Sequence, residues 1–271
     1  MRSQQCIFCP KPADSKEHIW SKWILELLPK AENGIFTRVD SDGKVHSRKA
    51  RKPDVSAKVV CEKDCNNGWM STRLEGPMKA ITSDIILTNK QKVFSPQDCA
   101  AIAAWAFKTT ILANHMPLRG EPFFPESERH AFARDLSIPA GVSVWIAQRN
   151  AGYLTATYRS IQRVQQPRGQ LTPHLIRPPE SPYMFKTYTC TFVIGFLLLQ
   201  VVSARWAKRE VSDRLNFPAV VQPEISEQYA ATIWPNKGLS VSWPPPQAIG
   251  NAFFDKFWDR FETLNLPSWM G

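Results

Sequence analysis

The hydrophobic pattern of the first ninety residues is short-ranged and changes its period several times. Residues 21–28 place apolar side chains at helical spacing, which predicts a short helix. Residues 35–50 alternate around a Ser-Asp-Gly tripeptide, which is typical of a β-hairpin, and residues 55–60 continue as a strand. From Asn67 the pattern becomes helical again. Short elements of this kind are typical of a small domain that is held together by cross-links.

The remainder of the chain predicts longer elements of both types. Ser95 and Pro96 have the residue types of an N-cap and a first helical position, so a helix should begin there and extend to about His115. Further elements are predicted as follows: a helix at 125–136, strands at 142–148 and 153–164, one or two strands at 187–205, a hairpin at 229–243 and an amphipathic helix at 248–264. The predicted fold class is α+β, with a small domain at 1–94 and a larger α+β domain of unknown role at 95–271.

Charge favours a polyanionic partner without proving one. The 271 residues carry a net charge of +10, and residues 1–94 hold 17 basic against 11 acidic side chains. The basic side chains are densest in and after the predicted hairpin, at Arg48, Lys49, Arg51 and Lys52. Two interpretations remain open for this stretch, a contact surface for nucleic acid or a solvated hairpin tip.

Nothing in the sequence predicts secretion or insertion into a membrane. Residues 1–5 are polar, and the most apolar run, residues 192–202, is interrupted and too short to span a bilayer as a helix. We therefore expect a cytoplasmic protein without a membrane partner. Six cysteines in a reducing compartment are more typical of metal ligands than of disulfides.

Four of the six cysteines form two closely spaced pairs about fifty residues apart: Cys6 with Cys9, and Cys61 with Cys65. Tetrahedral Zn²⁺ takes four thiolates at about 2.3 Å, and a short turn lets two neighbouring cysteines converge on one ion. Four unrelated thiols, or a redox role for the first pair, are the alternatives. The remaining two, Cys99 and Cys190, lie in apolar surroundings that predict core positions.

Each cysteine pair is followed by polar residues suited to phosphodiester chemistry. Glu17 and His18 follow the first pair, and Asn66 and Asn67 follow the second at once. A hard divalent cation binds carboxylate and amide oxygens, while a neutral imidazole can take a proton from water. A shared zinc ion would bring these segments together, so the sequence predicts a hydrolytic centre beside the zinc site.

The order of these motifs resembles the HNH endonuclease family, whose pattern is C-x2-C, then D/E-H-I, then C-x2-C-N. The matching residues are Cys6-x2-Cys9, Glu17-His18-Ile19 and Cys61-x3-Cys65-Asn66, and the stretch from Cys65 to Glu75 resembles a phage and bacterial subgroup with a CNNGW motif. The resemblance covers about the first third of the chain. It implies a ββα-metal domain with a structural four-cysteine zinc site and one catalytic Mg²⁺ or Mn²⁺ ion.

Carried over by position, Glu17 and Asn66 would bind the catalytic ion and His18 would act as the general base. Three departures are visible. The last cysteine pair has three intervening residues where two are usual, so Asn67 could replace Asn66. Trp20 follows Ile19, whereas the family often has a proline two places beyond the histidine. By simple counting, Ser56 stands where the family has an asparagine that braces the base.

The resemblance implies a metal-dependent endonuclease acting most often on double-stranded DNA, with Arg48, Lys49, Arg51 and Lys52 at phosphates. Two other hypotheses remain. In the first, residues 1–94 form a non-catalytic zinc module that binds nucleic acid or protein. In the second, the C-terminal region is the functional centre and acts as a sensor or a partner-binding domain. An oligomer is compatible with all three.

Overall fold

The computed structural model of the chain describes residues 4–28, 34–39, 45–50, 56–115, 122–150, 156–165, 185–206 and 228–250. Within these ranges the protein has a mixed α and β architecture, as the sequence predicted. No helix in the described part of the chain combines the length and the apolar character that a bilayer crossing requires.

The first part of the chain builds a small β-pair and two consecutive helical segments. Its elements are β1 (Ser15–His18), α1 (Lys22–Leu27), β2 (Gly34–Val39), β3 (Val45–Ala50), β4 (Ser56–Val60), a π-helix (Glu62–Glu75) and α2 (Gly76–Thr88). Strand β1 pairs with β4 in antiparallel fashion, and β2 pairs with β3 as the alternation predicted. The loop that carries the first cysteine pair is tied to this β-pair, because the amide of Ile7 donates to the carbonyl of Val59 at 2.9 Å.

The second part contributes most of a large sheet and the longest helix. Its elements are β5 (Lys92–Phe94), α3 (Pro96–His115), α4 (Glu126–Asp135), β6 (Val142–Gln148), β7 (Ala156–Gln165), β8 (Phe185–Ile194), β9 (Leu197–Trp206), β10 (Ala230–Trp234) and β11 (Val241–Trp243). The predicted cap of α3 is confirmed. Ser95 Oγ accepts a hydrogen bond from the amide of Asp98 at 3.1 Å, and Asp98 Oδ2 accepts one from the amide of Ser95 at 2.9 Å.

The two parts of the chain share one sheet and one core. The sheet has seven strands in the order β10-β6-β9-β8-β7-β2-β3, and β2 joins β7 in parallel while the other pairs are antiparallel. Helix α3 is buried along nearly its whole length because it packs between the sheet and the helices of the first part. The division into 1–94 and 95–271 stays a prediction, and buried side chains from both segments form one hydrophobic cluster.

The helix after the second cysteine pair begins earlier than the sequence predicted. It begins at Glu62, and its hydrogen bonds run from an amide to the carbonyl five residues back, as from Asn66 to Cys61 at 3.1 Å. A kink at Gly68 interrupts it. Apart from Cys65, the residues of the first turn are polar. They therefore show no alternation of apolar and polar side chains that would have predicted a helix there. π-Helical turns are rare in proteins as a whole. Where they occur, they are often at functional sites.

The prediction of a hairpin at 229–243 is wrong. Strand β10 pairs with β6 and strand β11 pairs with β5, so the two runs belong to different sheets. Asn236 causes the change of direction, because its side-chain oxygen accepts hydrogen bonds from the amides of Gly238 and Leu239 at 2.7 and 3.0 Å. An amphipathic helix was predicted at 248–264, but residues 251–264 lie outside the described residues. Within the described part, Ile249 forms an isolated parallel β-bridge with Arg149.

The run at 187–205 forms two strands that turn at Gly195, and this turn touches α2. Gly195 has φ +57°, and a Cβ there would lie 2.1 Å from the carbonyl oxygen of Ile86. We expect Gly195→Ala to lower the free energy of unfolding by about 2 kcal/mol or more, through backbone strain and loss of this close approach. Urea denaturation measures the change.

Gly238→Ala is the matched control for this prediction. Gly238 also has a positive φ, of +80°, but a Cβ there would meet nothing within 4 Å. The strain alone should therefore cost about 1 kcal/mol. Equal losses of stability in the two variants would contradict the contact between the strand turn and α2.

Candidate functional site

The four paired cysteines converge at the junction between the N-terminal loop and the π-helix. The Sγ atoms of Cys6 and Cys65 are 3.8 Å apart, those of Cys9 and Cys61 3.4 Å, and those of Cys9 and Cys65 3.7 Å. In a regular tetrahedron the ligands are separated by about 1.6 times the metal–ligand distance, which gives about 3.8 Å for zinc and sulfur. The cluster can therefore bind a metal ion such as zinc, and this part of the prediction is confirmed.

The thiols of the cluster differ strongly in acidity. A hydrogen bond with Cys65 lowers the pKa of Cys6 to about 5, and the amide of Phe8 also donates to the Cys6 sulfur at 3.4 Å. The same hydrogen bond, together with burial, raises the pKa of Cys65, while burial raises that of Cys9 to about 11. A thiol of lowered pKa gives up its proton to a metal ion more readily, which suits a metal site.

Residues from both parts of the chain brace the cysteine loop. Arg129 of α4 donates from Nε to the carbonyl of Ile7 at 2.8 Å, and Trp69 of the π-helix packs edge-to-face on Phe8 and Phe132 at centroid distances of 5.4 and 5.8 Å. Trp69 is therefore a packing residue here. These contacts fix the loop that leads into β1 and its polar end.

A cleft of about 550 Å³ lies between β1, α1, the π-helix and α2. Among the residues that line it are Glu17, His18, Asn66, Asn67, Glu75 and Lys79. The structure thus brings together the acidic residue, the histidine and the asparagine that the sequence predicted from two separate segments. Their assignment to catalysis stays a prediction.

Glu17 is held by a residue that sequence reasoning missed. Lys108 of α3 is fully buried, and its ammonium lies 3.2 Å from Glu17 Oε1 and 2.7 Å from Glu75 Oε1. The other oxygen of Glu75 accepts hydrogen bonds from Ser21 Oγ and, at 2.9 Å, from Trp23 Nε1. A lysine in the middle of an otherwise apolar helix was the signal in the sequence, because a buried ammonium needs anionic partners.

Glu75 and Lys108 stabilise each other's charged forms. Burial by itself would raise the pKa of Glu75, but the adjacent ammonium of Lys108 outweighs it and the pKa lies below its ordinary value. Burial would likewise lower the pKa of Lys108, but Glu75 and Glu17 together raise it above its ordinary value.

Asn66 connects the π-helix to β1. Its side-chain nitrogen donates to Ser15 Oγ at 2.8 Å and to the carbonyl of Lys16 at 3.2 Å. The amide orientation is thereby fixed, and the carbonyl oxygen is the group that could bind a cation. Asn67, the alternative ligand, is exposed, and its nitrogen lies 3.5 Å from Glu62 Oε1.

Ser56, which stands in place of the bracing asparagine, lies next to the histidine. The register of β1 and β4 sets Ser56 directly opposite His18. Both side chains are partly buried. Counting along the sequence therefore found the residue that is the cross-strand neighbour of the proposed base.

The predicted phosphate contacts lie outside what the structure describes. Arg48 and Lys49 belong to β3, whose backbone alone is described, and Arg51 and Lys52 fall outside the described residues. Strand β3 is at the edge of the seven-stranded sheet. Among the described side chains, Lys22 and Lys79 place positive charge at the cleft.

Comparisons of the chain with models of known protein families, with curated proteins and with solved structures found no significant match. The resemblance to HNH endonucleases therefore depends on the order and spacing of the motifs. The four-cysteine cluster does not by itself distinguish that family, because many structural zinc sites share it.

Proposed function

We propose that this protein is a metal-dependent endonuclease of the HNH type that hydrolyses phosphodiester bonds, with DNA as the preferred substrate. One observation carries the proposal. Glu17, His18 and Asn66 come from segments about fifty residues apart, and they line one cleft beside a four-cysteine cluster of zinc geometry. In this proposal Zn²⁺ is structural and a reducing compartment such as the cytoplasm keeps the thiols available.

The residues of the cleft suit the chemistry of a hard divalent cation. Glu17 offers a carboxylate oxygen and Asn66 an amide oxygen, which are the donors that Mg²⁺ and Mn²⁺ prefer. When bound, such an ion would neutralise charge that develops on the phosphate oxygens.

The remaining roles belong to side chains of the chain itself. His18 would take a proton from the attacking water, because an imidazole ring can act as a general base. Asn66 holds the end of β1 against the π-helix, so that the histidine is presented at the cleft. Lys22 and Lys79, together with Arg48, Lys49, Arg51 and Lys52, would contact phosphates and supply affinity without reading sequence.

Incubation of supercoiled plasmid with the zinc-loaded chain tests this function. We expect nicked and then linear DNA when Mg²⁺ or Mn²⁺ is added, and no cleavage with zinc alone, because zinc on the cysteines has no open position. Parallel reactions with single-stranded DNA and with RNA establish the substrate class. Equal cleavage in the presence of EDTA, or none with any divalent ion, would overturn the proposal.

A second candidate is a non-catalytic zinc module that binds nucleic acid or protein. The observation that favours it is the ammonium of Lys108, which already neutralises part of the charge of Glu17. This candidate requires that the chain bind duplex DNA or a protein partner without cutting DNA under any metal condition. The plasmid experiment, followed by a gel-shift measurement, separates the two.

A further inference from the structure

Helix α3 places a buried ammonium against Glu17 and Glu75, two residues that line the cleft. Lys108 is flanked on its own helix by Phe107 and Thr109, and all three are fully buried. Its Nζ also lies 5.9 Å from the ring centroid of Trp105. A charge in such surroundings is tolerated only when it is fully paired, so its two carboxylate partners are essential to its position.

The two carboxylates are bound in different ways. Glu75 has both oxygens engaged, one by Lys108 and the other by Ser21 and Trp23. Glu17 contacts Lys108 through Oε1, and its side chain also lines the cleft. Glu75 is thus an anchor for the ammonium, and Glu17 is the partner that can still accept a cation.

We infer that Lys108 is a positioning residue of the site: it fixes the carboxylate of Glu17 through one oxygen, sets the strength with which the cleft binds a divalent ion, and makes α3 part of the centre. This inference rests on the proposed function, because it assigns Glu17 to the metal. It goes beyond that function, since the motif-bearing segments contain no residue with this role.

The ammonium has two opposed effects on a divalent ion at Glu17. It orients the carboxylate, which favours binding, and it repels a second positive charge. A unit charge within about 6 Å of a divalent ion changes its binding constant about tenfold even at the dielectric constant of water, so repulsion should dominate the affinity. Lys108 therefore keeps metal binding weak and Glu17 well ordered.

The test uses the full zinc-loaded chain and measures binding of Mn²⁺ by the electron paramagnetic resonance signal of the free ion. Lys108→Met could fail to fold because it leaves two buried carboxylates without their cation. Lys108→Met/Glu75→Gln removes the ammonium together with its anchor charge, which replaces an ion pair by neutral groups of similar size. We expect this double variant to bind Mn²⁺ about tenfold more tightly than Glu75→Gln.

Lys79→Met is the matched control. It also removes a positive charge from the lining of the cleft, but its side chain is exposed to solvent. Its effect on the Mn²⁺ dissociation constant should be less than about twofold at physiological salt. An exposed ammonium can move away from the bound ion and is screened by dissolved salt, whereas Lys108 is held in place.

The outcomes distinguish the inference from the proposed function. If the parent binds Mn²⁺ and Glu17→Gln does not, but the folded double variant binds as Glu75→Gln does, then Lys108 is structural only and the inference is wrong. If the parent binds no Mn²⁺ in the cleft and cuts no DNA, the proposed function itself fails.

Discussion

Replacing His18 with alanine is expected to lower the rate of plasmid cleavage about 100- to 10,000-fold, which is the usual contribution of a general base. His18 ends β1 and lines the cleft with Glu17, so its loss removes the base without removing the proposed metal ligands. Its side chain is only partly buried, and the hydrophobic cluster does not include it. Zinc content should therefore match that of the parent, because His18 is not one of the four clustered cysteines.

The measurement is a time course of supercoiled DNA loss at saturating Mn²⁺. His130→Ala is the control, because His130 is also partly buried but lies on α4, and the lining of the cleft does not include it. We expect that variant to cut at the parental rate. Parental cleavage by His18→Ala would remove the histidine from the mechanism, whatever the metal dependence of the reaction.

Substitution of Cys65 by serine is expected to abolish zinc binding and to destabilise the protein by about 3 kcal/mol or more. Cys65 lies within hydrogen-bonding distance of both Cys6 and Cys9, so it connects the π-helix to the N-terminal loop. A structural zinc site contributes its binding free energy directly to folding, and three remaining ligands leave it open to water. Elemental analysis and thermal unfolding give the two readouts.

Cys99→Ala provides the comparison for this variant. Cys99 is equally buried but lies on α3 and is no member of the cluster, so zinc should remain at one equivalent per chain. Its loss of stability should be about 1 kcal/mol, as for a small truncation in a core. One bound zinc and an unchanged melting temperature in Cys65→Ser would show that the four sulfurs do not form a metal site.

The parts of the site that follow from short-range sequence signals could be predicted. Two cysteine pairs with tight spacing indicated the cluster, and that cluster necessarily brings Glu17 and His18 near Asn66. The helix cap at Ser95 could be predicted equally well, because capping depends on residues only three positions apart. In each case the signal is local in the sequence, although the cysteine cluster itself joins residues more than fifty positions apart.

The parts that depend on distant contacts could not be predicted. Lys108 is 91 residues from Glu17 in the chain, and no periodicity connects them. The strands at 230–234 and 241–243 were each expected correctly, but their partners were wrong, because alternation determines that a segment is a strand and not where it pairs. The parallel pairing of β2 with β7 also joins distant segments, and the sequence did not predict it.

The pairing of β2 with β7 limits how the motif-bearing third of the chain can be exchanged between proteins. A recombination event that moved residues 1–94 alone would leave β2 without β7, its neighbour towards the centre of the sheet. It would also remove the lysine that pairs with Glu17 and Glu75. An unpaired strand edge invites association with other chains. The segment could therefore be inherited usefully only together with a replacement strand and a replacement cation.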